Sequence, residues 1–287
     1  MKKIQSASWR TKFRIQKGQV VLLLVLITVI GLTIGLSLIS RTVTDVRISS
    51  QIEQSGRAFS AAEAGIESAL RSGTSNVTSG NVSLPGASAS YSVSPVSVSA
   101  ATSYHLPLTA TGKSQTLWLM AHDDATGALD ESNYYDFTNG IDVCWGSDSS
   151  TVPALLVTLF YKDSTGDYSI AKAAFDANAS TRGNGFSPLS LNEIPPGTYC
   201  QGGYSYRKSL TYSAFGLSGS LKAIALRMKP WYADTKIGVL PGASLPTQGN
   251  VITSLGQSET GVVRKIQVIQ GYSALPEVFD FSYFSEN

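Results

Sequence analysis

The sequence predicts an α+β protein, in which one long N-terminal helix precedes an exported domain of mainly antiparallel β-sheet. The helix is predicted to be transmembrane in its first half and amphipathic in its second. Three observations predict this fold: an uncharged run from Val20 to Ile39, the lack of proline before Pro85, and short runs of alternating apolar and polar residues beyond residue 90.

The first eighteen residues are strongly basic. They carry six cations and no acid, so removing them takes the formal charge of +2 to −4. A basic start followed by an apolar run is typical of a membrane-targeting segment rather than of a nucleic-acid-binding arm. Residues 1–18 are therefore predicted to be a leader, and no nucleic-acid partner is predicted. The cations are Lys2, Lys3, Arg10, Lys12, Arg14 and Lys17.

The run from Val20 to Ile39 has twenty residues without a charge. As a helix it rises about 30 Å, the thickness of a bilayer core. Because cations on the flank of a span favour the cytoplasm, the N-terminus is predicted to lie inside and the rest of the chain outside. The sequence thus predicts a single-pass protein of the cytoplasmic membrane.

The helix is predicted to continue through an amphipathic part, residues 40–71, which gives a helix over 19–71 that ends before Gly73. Its length is about 78 Å, more than a membrane anchor needs. Apolar residues that recur every three, four or seven positions predict the face that packs on the rest of the protein. They are Ile52, Phe59, Ala62, Ile66 and Leu70.

Residues 72–90 are small, polar and almost uncharged, which predicts a linker. The exported domain, residues 91–287, is predicted to contain roughly six to nine strands. A buried strand at Leu155–Tyr161 is expected to turn at Lys162–Asp167 into a second strand at Tyr168–Ile170. Further alternating runs are 91–93, 141–145, 221–228 and 262–269.

The chain has two cysteines, Cys144 and Cys200, both in the exported part and both within strand-like sequence. Oxidising compartments favour disulfides, so a Cys144–Cys200 bridge is predicted. The alternative is two separate buried thiols.

Catalytic motifs are lacking in the sequence. The two histidines, His105 and His122, lie far apart and outside any HExxH or nucleophile-elbow pattern. The acids after His122, and the pair Asp163 and Asp167, fit surface loops and turns better than a calcium loop, because the EF-hand spacing is missing. We expect no enzyme activity, metal or cofactor.

Two short motifs carry a family resemblance. Lys17-Gly18-Gln19-Val20-Val21 joins the basic leader to the apolar span, and Arg57-Ala-Phe-Ser-Ala-Ala-Glu63-Ala-Gly-Ile-Glu67 lies in the amphipathic part. Together they resemble the type IV pilin and pseudopilin superfamily, in particular minor pilins with a PilX-type N-terminal region. The likeness covers the first seventy residues well and the β domain only in outline.

The resemblance implies a structural filament subunit. Prepilin peptidase would cut between Gly18 and Gln19, and the same enzyme would N-methylate Gln19. The subunit would wait in the membrane and then join other pilin subunits through its N-terminal helix. Gly31 and Gly35 form a G-x-x-x-G pair, which lets helices approach closely, although such glycines are also common in membrane helices. In the family, a glycine-containing stretch of this region can also lose helicity on assembly.

One position departs from the family pattern. Major pilins carry a glutamate at the fifth mature position, and counting from Gln19 that position is Leu23. In the family this carboxylate neutralises the N-terminal ammonium of a neighbouring subunit, so its loss implies a minor or tip-located subunit. The alternative is a branch of the family that assembles without the carboxylate. Two other hypotheses also stay open, a type II secretion pseudopilin and a surface binding protein or adhesin with an uncleaved signal anchor.

Overall fold

The computed structural model describes residues 19–73, 78–123, 126–146, 151–194, 199–274 and 276. The predicted leader, with Gly18, lies outside the described residues. The order of elements confirms the α+β layout, with one long apolar helix followed by mainly antiparallel sheets.

Helix α1 runs from Gln19 to Ser72 and has 54 residues, about 81 Å at 1.5 Å per residue. It ends at Gly73, which has a φ of 79° and donates its N–H to the carbonyl of Leu70. A left-handed glycine satisfies carbonyls that the last helical turn leaves open, which is why the helix stops there.

The strands form three larger sheets and one hairpin in the described part of the chain. Sheet A has the order β1-β2-β14-β15, sheet B the order β10-β9-β8-β12-β4, and sheet C the order β11-β7-β13-β3. All pairs are antiparallel except β9 with β10. The strands are β1 Ser79–Leu84, β2 Ala87–Pro95, β3 Tyr104–His105, β4 Gln115–Trp118, β5 Met120–His122, β6 Leu129–Tyr134, β7 Ile141–Trp145, β8 Ala154–Lys162, β9 Tyr168–Asp176, β10 Ser187–Pro188, β11 Tyr206–Leu210, β12 Lys222–Trp231, β13 Ile237–Pro241, β14 Gly249–Ser258 and β15 Val263–Gly271.

Sheets B and C enclose the main core. Trp145 and Phe137 are its largest fully buried side chains, and Leu155, Leu226 and Met228 project into it from β8 and β12. The indole Nε1 of Trp145 donates to the carbonyl of Pro153 at 3.0 Å, so the buried ring leaves no donor unsatisfied.

Two predictions about strands were wrong. Residues 79–90, predicted as part of a linker, form β1 and the start of β2, joined by a tight turn in which Gly86 has a φ of 78°. The number of strands also exceeds the predicted six to nine. Several of the missed strands are either very short or rich in serine, alanine and glycine, residues that carry little intrinsic strand preference.

Candidate functional site

The first half of α1 is the most exposed apolar surface of the described residues. Every large apolar side chain between Val20 and Ile39 is about half exposed or more, from 48% at Ile30 to 70% at Leu22. The helix is long and apolar enough to cross a membrane, by length and composition. Covering these side chains is worth on the order of 20 kcal/mol, so in water this segment requires lipid or protein around it.

The two threonine hydroxyls within this half are satisfied by the helix itself. The hydroxyls of Thr28 and Thr33 donate to the carbonyls of Val25 and Ile30, each at 2.8 Å. Just beyond this half, the hydroxyls of Thr42 and Thr44 also donate to backbone carbonyls four residues earlier in the helix. Because no partner outside the helix is needed for these hydroxyls, they can enter an apolar environment at little cost.

The predicted packing residues Gly31 and Gly35 lie on this exposed half. A Cβ added at either position would meet no atom within 4 Å, so no segment of the described chain requires glycine there. Leu23, at the position of the missing family glutamate, is 58% exposed. Gln19 is the first helical residue.

The second half of α1 is bound to sheet A through a seam of small residues. Four alanines of this seam are fully buried, while Ile66 is 8% exposed. The spacing of three and four residues places all members on one helix face. We call this the alanine seam: Ala58, Ala61, Ala62, Gly65, Ile66 and Ala69.

The seam fits a matching row of small residues on sheet A. Gly256 of β14 lies directly under the helix, and a Cβ added there would collide with the carbonyl oxygen of Ala58 and lie 2.6 Å from the amide nitrogen of Ala62. A Cβ at Gly65 would collide with the side chain of Ser254. Helix and strand backbones therefore touch at this point, which only glycine permits.

The seam widens toward the end of the helix. There Ile66 and Ala69 pack against Tyr91 and Ile252, which are larger than the alanines Ala87 and Ala89 under the earlier turns. One polar contact lies at the other end, where Arg264 of β15 donates to the hydroxyl of Ser55 at 2.8 Å. The helix is thus held over four turns by close packing, with little hydrogen bonding.

The predicted packing face of the second half was wrong. Ala62 and Ile66 are buried as expected, but Ile52, Phe59 and Leu70 are 68%, 48% and 43% exposed. Viewed down the helix axis, Ala58 points close to the middle of the seam. At 100° per residue, the side chain of Phe59 therefore lies about 100° away from that direction. The missed signal was the spacing of small residues at 58, 61, 62, 65 and 69, of which the first four lie inside the motif that carries the family resemblance.

The predicted disulfide is present. Cys144 in β7 and Cys200 are bonded, with 6.1 Å between their Cα atoms, and both are buried. The expectation that Cys200 lies in a strand was wrong, because it occupies a loop with a φ of 42° before β11. The bridge ties this loop to the edge of the main core, next to Trp145.

The two histidines lie apart from each other and have different aromatic partners. His105 Nδ1 is 2.8 Å from the Tyr204 hydroxyl, whereas His122 stacks on Tyr272. Asp163 accepts from the amide and hydroxyl of Thr165, and these bonds lower the pKa of its carboxyl in the β8–β9 turn. No group of three or more His, Cys, Asp or Glu side chains within the described ranges is arranged to hold a metal ion.

A residue that sequence patterns missed, Gln248, joins sheet A to sheet B. Its side-chain amide is 7% exposed; the oxygen accepts from the amide of Trp118 at 2.8 Å, and Nε2 donates to the Trp118 and Pro246 carbonyls. Through this amide the sheet that carries the helix is fixed to the main core.

Comparison of the chain with protein-family models, curated proteins and solved structures gives no match.

Proposed function

We propose that the chain is a structural subunit of a type IV pilus or related filament, a minor-pilin-like prepilin that is anchored in the membrane and assembles through its N-terminal helix. One observation carries the proposal: α1 is a single helix whose first half is apolar and contacts no other described segment, while its second half is fixed to a folded β domain. A rigid connection of this kind passes any movement of the helix directly to the domain.

The exposed half suits transfer between two apolar environments. In lipid its side chains and internally bonded threonines are stable, and in a bundle of like helices they meet similar surroundings. Moving from one to the other therefore changes the hydrophobic free energy little. Gly31 and Gly35 offer a smooth strip at which a second helix approaches closely.

The test of the proposal is the mature N-terminus. In cells with an active prepilin peptidase, intact-mass analysis of the membrane-extracted protein is expected to show a chain that begins at Gln19. A Gly18→Val variant is the matched control and should keep residues 1–18. A wild-type chain that keeps its leader contradicts the filament proposal and favours an uncleaved signal anchor.

Within this proposal, Leu23 favours a subunit at the filament tip or at sparse positions. An N-terminal ammonium inside an apolar helix bundle is costly without a carboxylate beside it, and the helix has no acid before Asp45. A tip subunit has no neighbour above it whose ammonium it must neutralise. Immunogold labelling of sheared filaments should be sparse or confined to one end, and dense uniform labelling contradicts the tip assignment.

A further inference from the structure

The outer face of sheet B, on the side away from the main core, carries an open groove with a cavity of about 730 Å³. Strand register places an apolar row across four strands, which runs Ile170, Phe160, Ala225 and Trp118. The β5–β6 hairpin forms one wall, from which Leu129 and His122 line the cavity. We call this surface the sheet B groove.

A polar row with cations lies beside the apolar row. By register it runs Lys172, Thr158, Arg227 and Thr116, two residues further along each strand. The guanidinium of Arg227 lies 5.1 Å from the centre of the Phe160 ring, and its Nε donates to the Thr116 hydroxyl at 3.4 Å. Lys229 continues the positive character two residues further along β12, on the same face of the sheet.

The chain itself leads to the groove. After β15, the Tyr272 ring stacks on His122 with ring centres 4.0 Å apart, and Ser273 lines the cavity. Residues 277–287, EVFDFSYFSEN, follow directly and lie outside the described residues. Eleven residues can extend about 36 Å, whereas the five strands of sheet B span about 19 Å, so this segment is long enough to cross the groove.

The composition of this segment matches the groove. Within residues 279–283, Phe279, Phe281 and Tyr283 are separated by Asp280 and Ser282, a pattern typical of a chain with one apolar side. The segment has three acids, Glu277, Asp280 and Glu286, and no base. Aromatic side chains fit the apolar row, and the negative charge of the segment is opposite in sign to that of the neighbouring row.

We propose that residues 277–287 bind the sheet B groove of their own chain, with Phe279, Phe281 and Tyr283 against the apolar row. The segment then serves as a cover for the outer face of sheet B. This proposal is independent of the filament function, because it concerns a surface on the exported domain and none of α1.

Thiol labelling tests the cover in the full chain in detergent micelles. Cys144 and Cys200 are bonded, so a cysteine introduced as Ile170→Cys is the free thiol available to a maleimide. Deleting residues 277–287 is expected to speed its labelling about tenfold or more. A Leu191→Cys control, at a residue that is 91% exposed, should label at the same rate with and without the deletion.

Substitutions separate loss of binding from loss of fold. Phe279→Ser/Phe281→Ser/Tyr283→Ser should raise Ile170→Cys labelling as the deletion does, whereas Ser282→Ala, at a position between the aromatic residues, should leave it slow. A synthetic peptide of residues 277–287 should restore protection to the truncated chain, and a scrambled peptide should not. Equal labelling with and without the segment overturns the proposal. Protection that survives the deletion and falls on dilution also overturns it and assigns the groove to a second copy.

Photo-crosslinking tests the same point without removing any residue. A benzophenone side chain at position 281 is expected to crosslink to peptides of the same molecule that contain Phe160 or Ile170. Crosslinks confined to α1, or formed only between molecules, contradict the proposal.

Discussion

The two halves of α1 reverse the usual relation between side-chain size and burial. The first half exposes leucine, isoleucine and valine around its whole circumference, and the second half buries alanine and glycine while Ile52 and Phe59 face outward. Large side chains make a surface that any apolar surrounding satisfies. Small ones allow one close fit against one partner, sheet A. The first half can thus be buried by any apolar environment. The second half needs one complementary surface, which sheet A of the same chain provides.

The largest expected effect comes from the region that the helix does not touch. Replacing both cysteines, Cys144→Ala/Cys200→Ala, should lower the free energy of unfolding by about 4 kcal/mol, because the bridge closes a loop of 56 residues. Denaturant unfolding of the full chain in micelles measures this change. Packing at the alanine seam should persist in the folded variant, so protection of an Ala69→Cys thiol that is unchanged by the loss of the bridge keeps the two regions separate. If the free energy of unfolding is unaltered, the disulfide does not contribute to the stability of the domain.

Gly256→Ala tests the close fit directly. The new methyl group would collide with the Ala58 carbonyl, and a backbone group cannot turn aside as a side chain can. We expect a loss of about 2–3 kcal/mol in the free energy of unfolding. Gly56→Ala in α1 is the control, because nothing lies within 4 Å of its added Cβ and removing a helical glycine should raise stability by about 0.5–1 kcal/mol. Equal effects of the two variants contradict the fit at Gly256.

Two serines of β14 should respond in opposite directions. Ser254 is fully buried, and its hydroxyl has no hydrogen-bond partner, so Ser254→Ala should raise the free energy of unfolding by about 1 kcal/mol. Ser258 is also buried, but its hydroxyl accepts from the amide of Val262 at 3.1 Å and lies 3.0 Å from the Thr260 hydroxyl. Ser258→Ala should therefore lower stability by about 1 kcal/mol. A loss of stability in Ser254→Ala shows that its hydroxyl has a bonding role.

Sequence patterns predicted the parts of the fold that depend on large-scale composition. The length of α1, its stop at Gly73 and strands β7, β8, β12 and β15 follow from hydrophobic runs and alternation, which are local properties. The disulfide followed from the number and location of the cysteines. The helix face, the β1–β2 hairpin and Gln248 were missed for a shared reason, since small and polar residues are buried there by complementary neighbours that are distant in sequence.

The candidate site divides in the same way. The exposed apolar half could be predicted because a membrane span is a matter of length and hydrophobicity. The alanine seam could not, because alanine and glycine give a weak hydrophobic signal and their burial depends on Ala87, Ala89 and Gly256 in other parts of the chain. The motif in the second half carries the resemblance to the pilin family, and in the structure its small residues contact sheet A.

The smallest expected effect on stability belongs to the two glycines of the first half. Gly31→Ala/Gly35→Ala should change unfolding of the β domain by less than about 0.5 kcal/mol, since neither position contacts another segment and the added methyl groups meet open space. The same glycine-to-alanine change is thus expected to destabilise the domain at Gly256 and to leave its stability almost unchanged at Gly31 and Gly35. Tryptophan fluorescence of the micelle-bound monomer during denaturant unfolding follows the domain. A shift of more than 1 kcal/mol would mean that the first half of α1 already packs on its own chain. With stability unchanged, any loss of filament incorporation in the double variant is due to contacts between subunits, so the experiment isolates the surface that the monomer leaves uncovered.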